Sequence, residues 1–267
     1  MDCEDVYDNG MEPKFECLLF DVDDTLYPLS SGISAECTKN IIEYMINTLG
    51  MDEEKVPELC AQLYRDHGTT MAGLLATGYD FDYDDYHNFV HGRLPYELLN
   101  PDDTLRSLLH SLPLRKVIFS NGNESHVVKV LSRLGLEDCF EDIICFETLN
   151  PPDRREAAAE LQNNSGPIIC CKPFEIAFEQ AFKIARINPH KTVFFDDSIR
   201  NLQTAKHTGM HTVWVGSGHR TEGVDYALES IHNMREALPE LWEAATAAVE
   251  KTEVSAYSEK PAIETYA

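Results

Sequence analysis

Short apolar runs of strand length alternate with amphipathic segments along most of the chain. The runs with the length and aliphatic content of buried strands are 15–20, 116–120, 142–146, 167–170, 192–195 and 211–215. Apolar positions at helical spacing lie between most of them and predict helices over 125–136, 175–187 and 201–210. Strands that alternate with helices favour a parallel sheet covered on both faces. We therefore predict an α/β protein whose core is a Rossmann-like, doubly wound parallel sheet.

One long interval, between the first and the second predicted strand, interrupts this alternation. Its apolar positions follow helical spacing in the segments 33–50, 53–68, 82–93 and 104–112. We predict that residues 29–111 form an inserted α-helical cap, and that residues 15–28 and 112–240 form the core. Such an insert can cover the carboxyl ends of the strands, where ligands bind in open α/β sheets.

The two ends of the chain differ in composition from the rest. Residues 1–14 are polar, and residues 245–267 combine charge with proline, so we predict that both segments are disordered. The acidic beginning of the chain resembles neither a signal peptide nor a transit peptide, and no apolar run reaches the roughly 20 residues that span a membrane. Eight cysteines without CxxC spacing are typical of a reducing compartment. We expect a cytoplasmic protein.

The formal net charge of -24 narrows the range of partners. Binding to a nucleic acid polymer needs clustered Lys and Arg, and binding to an anionic membrane needs a basic surface, so we expect neither partner. A small anionic substrate stays compatible, because a metal ion and a few local cations outweigh a distant, screened field. The sequence leaves open whether the protein is a monomer or a homodimer.

Polar side chains with chemical potential follow the predicted strands at the points where these strands end. In chain order they are Asp21, Asp23, Ser120, Asn121, Lys172, Asp196 and Asp197. The carboxyl ends of parallel strands meet at one edge of a sheet, so we expect these side chains to lie together. Carboxylates are the hard oxygen ligands that Mg²⁺ prefers, and the cation removes their mutual repulsion. A cation, a lysine and a serine hydroxyl together make a phosphate site.

Four short motifs, in this order along the chain, resemble those of the haloacid dehalogenase (HAD) superfamily. They are DVDDT (21–25), the strand-end Ser120 in VIFSN, Lys172 in CCKP, and FFDDS (194–198). The helical insert after the first motif resembles the cap of that family. The resemblance covers roughly residues 15 to 240 and implies a phosphatase that uses Mg²⁺.

The resemblance implies a role for each matched residue. Asp21 would attack phosphorus and form an aspartyl phosphate. Asp23 would protonate the leaving oxygen and then activate the water that hydrolyses the intermediate. Ser120, the backbone of Asn121 and Lys172 would hold the phosphoryl oxygens.

The implied metal ligands are the Asp21 carboxylate, the Asp23 backbone carbonyl and an acid of FFDDS. The family's Gly-Asp-Ser form aligns Asp197 with the usual ligand position, and Asp196 then stands where the glycine would be. Asn201 falls where a further Asp is common. Which of Asp196 and Asp197 binds the metal directly stays open.

Other polar residues near these motifs have simpler interpretations. Thr25 would buttress the first loop, and Asp24 is expected to be a solvated or hydrogen-bonded loop residue. The segment GSGHR (216–220) lacks the Rossmann spacing and is expected to be a turn. The ten histidines show no HExxH-like spacing, so we expect surface or hydrogen-bonded positions for most of them, including His67, His87, His91 and His126.

Within the superfamily, FDVDDTLYPLSSGI and LYRDHGTTMAGLLATGYDFD resemble the pyrimidine 5'-nucleotidase-like branch, most closely its plant members. That branch includes a xanthosine monophosphate phosphatase. The segment FSNGNESHVV differs from the FTNA-type sequence of the pyrimidine-like members, and this difference favours xanthosine monophosphate slightly. The resemblance implies a nucleoside 5'-monophosphate substrate, either xanthosine monophosphate or a pyrimidine nucleotide such as UMP. The cap would recognise the base, and the candidate residues are Tyr27, Tyr64, Thr69, Thr70 and Arg93.

Two alternatives stay open. The first is a phosphatase of another small metabolite, such as FMN or a sugar phosphate, or a phosphomutase on the same scaffold. The second is a receiver-like signalling module, which also uses strand-end acids, a hydroxyl and a lysine. A receiver carries its phosphorylated Asp after a later strand, however, and no Asp ends the second or third predicted strand of this chain.

Overall fold

The computed structural model describes residues 14–152 and 169–243. Within them, six parallel strands form one sheet in the order β3-β2-β1-β4-β5-β6. The strands are β1 (Cys17–Phe20), β2 (Arg115–Phe119), β3 (Asp142–Ile144), β4 (Thr192–Asp196), β5 (His211–Val215) and β6 (Tyr226–Leu228). The strand order reverses at β1, which pairs with β2 on one side and β4 on the other. In open α/β sheets a ligand binds at this kind of switch point.

The sheet is covered on both faces, which confirms the predicted α/β fold. Successive side chains of a strand point to opposite faces. Accordingly, Leu18 and Phe20 belong to one hydrophobic cluster, and Cys17 and Leu19 belong to the other. Every residue of β1 is buried, which explains why the sequence reads as a continuous apolar run and not as an alternating one.

The described residues form ten α-helices. They are α1 (Ile33–Asn47), α2 (Val56–His67), α3 (Thr70–Ala76), α4 (Tyr83–Val90), α5 (Asp103–Ser111), α6 (Glu124–Leu134), α7 (Phe146–Leu149), α8 (Glu175–Ala185), α9 (Ile199–His207) and α10 (Met234–Ala237). Local sequence sets several of their ends. The carboxylates of Asp82 and Asp102 accept backbone N–H bonds at the starts of α4 and α5, and α6 ends at Gly135, whose φ is 70°.

Helices α1 to α4 form the insert, and their apolar side chains share a third cluster that includes Tyr44, Leu63 and Tyr86. Phe146 and Cys171 of the core belong to the same cluster, so the insert packs directly onto the core. Helix α5 packs differently from the prediction that placed it in the cap. Its Leu105 and Leu109 belong to a cluster of the sheet, and we therefore propose that the cap ends near residue 93.

The predicted strand over 167–170 is wrong where the structure describes it, because Ile169 and Cys170 are irregular. The side chain of Asn150 takes the place of a strand partner. Its Oδ1 accepts from the Cys170 N–H at 2.7 Å, and its Nδ2 donates to the Cys170 carbonyl at 3.0 Å. Residues 167 and 168 lie outside the described residues, as do the segment 245–267 and all of the predicted disordered segment 1–14 except Lys14. Strand β6 was not predicted.

None of the helices in the described ranges is long and apolar enough to cross a bilayer. The seven cysteines of these ranges are free thiols, and six of them are buried, as expected for small apolar core residues.

Candidate active site

The predicted acids, the lysine and the amide meet at the carboxyl ends of β1 and β4. Asp21 directly follows β1, and its N–H donates to the carbonyl of Phe195 in β4 at 2.9 Å. Asp196 ends β4 and Asp197 follows it. This edge of the sheet faces the cap, and the space between them is a cavity of about 480 Å³ lined by Asp21, Asp23, Asn121, Lys172 and Asp197, among others.

Lys172 lies between two carboxylates. Its Nζ is 2.8 Å from Oδ1 of Asp21 and 2.8 Å from Oδ2 of Asp196, and all three residues are buried. Burial lowers the pKa of Lys172, but the two carboxylates raise it more, so the ammonium stays charged. Burial raises the pKa of Asp21 well above its ordinary value, and Lys172 opposes that shift. Lys172 is therefore a local charge that favours the ionised form of Asp21 against the effect of burial.

Side-chain amides hold the Lys172 loop in place without a strand. The Asn121 side chain donates to the Lys172 carbonyl at 3.0 Å and accepts from the Lys172 N–H at 2.8 Å. The turn between α2 and α3 closes over the same loop, and a Cβ on Gly68 would lie 2.5 Å from the Lys172 carbonyl. Asn121 thus has a structural contact at the site besides its predicted contact with phosphate.

The carboxylates fit a divalent cation. Asp21, Asp196 and Asp197 each offer an oxygen, and these oxygens lie within 4.8 Å of one another. Burial and the charge of Asp196 raise the pKa of Asp197 to about 7, which reflects crowded negative charge that a cation would relieve. This all-oxygen ligand set matches the preference of Mg²⁺.

Asp196 and Asp197 occupy different environments. Asp196 is fully buried, and its oxygens accept from Lys172, from the Ser198 N–H at 2.8 Å and from the Asn201 amide at 2.9 and 3.1 Å. Asp197 is partly exposed and lines the cavity. Its backbone carbonyl accepts from the Trp214 indole at 2.9 Å.

Asp23 is held by two donors that the sequence analysis did not assign to it. Tyr27 donates its hydroxyl proton to Oδ1 of Asp23, and Nε2 of His126 lies 2.8 Å from the same oxygen. Burial raises the pKa of Asp23, but the neighbouring His126 and the two hydrogen bonds lower it more, and the pKa lies well below its ordinary value. The sequence feature that could have pointed to a role for His126 at the site is its position in the first turn of α6, the helix that follows the Ser120 motif.

The remaining residues of the first two motifs are close to the site. Asp24 lines the cavity with φ 57°, and its Oδ2 accepts from the Ser34 hydroxyl at 2.6 Å, in line with a hydrogen-bonded loop residue. Thr25 is buried, and its hydroxyl has no hydrogen-bond partner within the described part of the chain. Ser120 is fully buried, and its Oγ accepts from the Gly122 N–H at 2.9 Å.

Three of the five predicted base-recognition residues line the cavity. Thr69 accepts the Ala72 N–H at the start of α3, and Thr70 is buried with its hydroxyl 3.4 Å from the Cys60 carbonyl. Tyr64 is 49% exposed and lies 5.7 Å from the guanidinium of Arg200.

The other two predicted base-recognition residues lie elsewhere. Tyr27 binds Asp23, and Arg93 pairs with Glu43 at 2.7 Å and lies over the Phe89 ring. Neither is among the described residues that line the cavity.

Most of the cavity wall is apolar. The cap contributes Ile33, Cys37, Ile41, Cys60, Met71, Tyr86 and Val90, and the core contributes Phe146, Leu149 and Ile169. Among the described lining residues, Lys172 is the one Lys or Arg, and it is already paired with two carboxylates. The geometry can therefore hold one anionic group at the floor and an uncharged, partly apolar body under the cap.

Solved structures of other proteins share this fold. The HAD-hydrolase YfnB of Bacillus subtilis, solved with magnesium bound, is similar with a TM-score of 0.53 and 18% identity, over 84% of this chain and 98% of that one. A HAD phosphatase of Thermococcus onnurineus is similar with a TM-score of 0.50 and 18% identity, over 83% and 97% of the two chains.

A curated relative and a family model match the sequence itself. Phosphate metabolism protein 8 of Saccharomyces cerevisiae is 25% identical over 230 residues, which make up 82% of this chain and 66% of that protein. The chain thus spans just under two thirds of that relative. The model of the haloacid dehalogenase-like hydrolases matches residues 15–209, well over half of the chain. This match favours a hydrolase over a receiver-like module, and the chain belongs to the haloacid dehalogenase-like hydrolase family.

Proposed function

We propose that the protein is a Mg²⁺-dependent phosphomonoesterase that hydrolyses a nucleoside 5'-monophosphate through an aspartyl phosphate. The observation that carries the proposal is the position of Asp21 at the floor of the cavity, with Lys172 at 2.8 Å and Asp23 close by. A carboxylate whose ionised form is favoured by a neighbouring ammonium is suited to attack on phosphorus. An acid two residues later supplies the proton transfers.

In the first step, an Asp21 oxygen forms a bond to phosphorus while the bond from phosphorus to the leaving oxygen breaks. Asp23 gives its proton to that oxygen, so the products are an alcohol, an aspartyl phosphate and an ionised Asp23. Lys172 stabilises the charge that develops on the phosphoryl oxygens.

In the second step, a water oxygen attacks phosphorus and gives a proton to Asp23. The bond between phosphorus and Asp21 breaks, which restores the Asp21 carboxylate and releases phosphate. The lowered pKa of Asp23 keeps it ionised before substrate binds. The negative charge of a bound phosphate raises that pKa and favours uptake of the proton that the first step needs.

Mg²⁺ would supply positive charge at the phosphoryl group. Asp21, Asp197 and the Asp23 backbone carbonyl would hold it. Between the two acids of FFDDS we infer that Asp197 is the direct ligand, because it lines the cavity, whereas the oxygens of Asp196 already accept several hydrogen bonds. Asp196 would then orient Lys172.

The cavity supports a nucleotide with one phosphate. A base is planar and partly apolar, and the wall offers aromatic and aliphatic side chains with a few polar groups such as Thr38 and Thr69. A sugar phosphate presents hydroxyls on all sides and matches this wall less well. The resemblance to the nucleotidase-like branch favours xanthosine monophosphate or a pyrimidine nucleotide such as UMP.

The test is phosphate release with Mg²⁺ from xanthosine monophosphate, UMP, FMN, glucose 6-phosphate and p-nitrophenyl phosphate. We expect a higher kcat/KM on one of the two nucleoside monophosphates than on p-nitrophenyl phosphate. The reverse order would contradict the nucleotide assignment, and no release from any ester would contradict the phosphatase assignment.

A matched pair of variants ties the substrate preference to the cavity. Ile41→Trp fills space in the wall and should lower kcat/KM for the nucleotides, whereas Ile184→Trp adds the same ring at an exposed position on α8 and should not.

A further inference from the structure

We propose that His126 is a positioning residue that fixes the Asp23 carboxylate for proton transfer. The inference rests on the proposed function, because it concerns the acid–base group of that reaction. His126 belongs to none of the four motifs of the sequence analysis.

His126 and Tyr27 both contact the same oxygen of the Asp23 carboxylate and leave the other oxygen free of their contacts. The His126 ring is 2% exposed, and its Nε2 lies 2.8 Å from Oδ1 of Asp23. The hydroxyl of Tyr27 donates to the same oxygen. Two donors on Oδ1 fix the rotation of the carboxylate and leave Oδ2 as the oxygen that gives and takes the proton. The Asp23 side chain is 35% exposed and lines the cavity, so a substrate can reach it.

The ring of His126 is itself held from behind and from one face. Its Nδ1 lies 2.9 Å from the hydroxyl oxygen of Tyr96, and the proton of that hydroxyl is donated to the His91 carbonyl at 3.0 Å. The His91 ring stacks on it with 4.6 Å between centroids and 23° between planes. Nδ1 of His91 lies 2.7 Å from Oδ1 of Asn123, one helical turn before His126. A ring with both nitrogens and a face engaged has little freedom to turn.

These contacts come from both chain segments that join the cap to the core. Tyr27 lies on the segment that leaves the core after β1, and His91 and Tyr96 lie on the segment that returns after α4. Tyr27 belongs to a hydrophobic cluster of the sheet and Tyr96 packs against the same cluster, so both residues tie His126 and Asp23 to the core.

A buried histidine can also be a structural residue of the core, and that interpretation predicts a different experimental result. Asp23 serves the two steps unequally when the ester is p-nitrophenyl phosphate. Its leaving group departs without a proton, so the first step does not need Asp23, while the second step still does. UMP has an alkoxide leaving group and needs Asp23 in both steps. A misplaced Asp23 therefore changes the relation between two substrates, whereas partial unfolding reduces both rates alike.

The experiment compares wild type with His126→Leu, which removes the donor, and with His126→Gln, whose amide can still donate to Asp23. The control is His232→Leu, because Nε2 of His232 also lies 2.8 Å from a carboxylate oxygen, that of Asp102, away from the cavity. Steady-state kinetics on UMP and p-nitrophenyl phosphate are combined with a rapid-mixing measurement of p-nitrophenolate in the first turnover.

For His126→Leu we expect kcat on UMP to fall roughly 10- to 100-fold, the size of a lost hydrogen bond to a charged group, with a much smaller change in KM. On p-nitrophenyl phosphate we expect a burst that approaches one p-nitrophenolate per enzyme, because the aspartyl phosphate accumulates. His126→Gln should recover most of the loss, and His232→Leu should behave as wild type.

The inference would be overturned if His126→Leu lowered kcat by the same factor on UMP and on p-nitrophenyl phosphate and its burst fell in proportion to the folded fraction. A His126→Leu variant that matches His232→Leu would overturn it too. If the wild-type protein releases phosphate from neither ester, the proposed function itself fails, and the role of Asp23 fails with it.

Discussion

The ion cluster around Lys172 makes a quantitative prediction about stability. Lys172→Met keeps most of the volume of the side chain but removes its charge. The carboxylates of Asp21 and Asp196 then lose the ammonium that lies 2.8 Å from each of them. Asp21 is 7% exposed and Asp196 is 0% exposed, so water cannot replace the lost partner.

The burial of these carboxylates sets the expected loss in the free energy of unfolding of Lys172→Met. Removing one partner of a buried ion pair costs about 3–5 kcal/mol, because a buried charge is left uncompensated. For a protein of this size, each kcal/mol lowers Tm by roughly 2–4 °C, so we expect a decrease of roughly 6–20 °C. Replacing Asp196 as well, in Lys172→Met/Asp196→Asn, removes one of the two stranded charges and should recover part of the loss.

The assay is urea and thermal unfolding followed by circular dichroism, in EDTA so that no divalent cation substitutes for the ammonium. The control is Lys206→Met, because Lys206 also binds a carboxylate, that of Asp225, at 2.6 Å, but at the surface. An exposed pair of this kind contributes less than about 1 kcal/mol. Equal and small losses in the two variants would refute the reasoning, and so would a second substitution at Asp196 that deepens the loss.

Three further outcomes can be checked with simple variants or conditions. Gly68→Ala should lower the free energy of unfolding by roughly 1–3 kcal/mol and also lower kcat/KM, because φ is +84° and the new Cβ would meet the Lys172 carbonyl at 2.5 Å. The control is Gly50→Ala, where φ is +68° and a Cβ meets open space, so this variant should lose stability but keep activity. Burial raises the pKa of Asp225, but Lys206 and the Thr212 N–H lower it more. The ionised Asp225 therefore stabilises the folded protein fully above the ordinary carboxyl pKa, and this stabilisation is lost as the pH falls through the lower pKa of the folded state. Asp225→Asn should cost about 1 kcal/mol of unfolding free energy at pH 7 and remove this acid dependence from urea unfolding. Chelation with EDTA should abolish phosphate release, and Mg²⁺ should restore it and raise Tm, whereas an unchanged rate in EDTA would exclude a required metal.

The sheet and the strand-end acids could be predicted because their signals are local. β1 and β4 are buried on both faces, so an uninterrupted apolar run ends directly in the acids. Lys172 lies beside Asp21, although the strand predicted before it does not form in the described residues. Ile169 and Cys170 are irregular, and the amides of Asn150 and Asn121 hold the backbone there through contacts distant in sequence.

The parts that could not be predicted depend on tertiary packing. β6 has three residues at the edge of the sheet, too few for a periodic signal. Tyr27 and Arg93 were predicted to recognise the base because they lie in segments expected to face the core, but Tyr27 donates to Asp23 and Arg93 pairs with Glu43. In the sequence, His126 cannot be distinguished from other polar residues of an amphipathic helix, because its contact with Asp23 joins positions distant in the chain.

The central claim is that Asp21 becomes phosphorylated during turnover. The most direct measurement is acid quench within the first turnover of ³²P-labelled substrate, followed by peptide mapping of the labelled chain in wild type and Asp21→Asn. The account predicts label on the peptide that contains Asp21 in wild type, and neither label nor phosphate release in a folded Asp21→Asn variant. Label on another residue, or turnover that persists in Asp21→Asn, would contradict it.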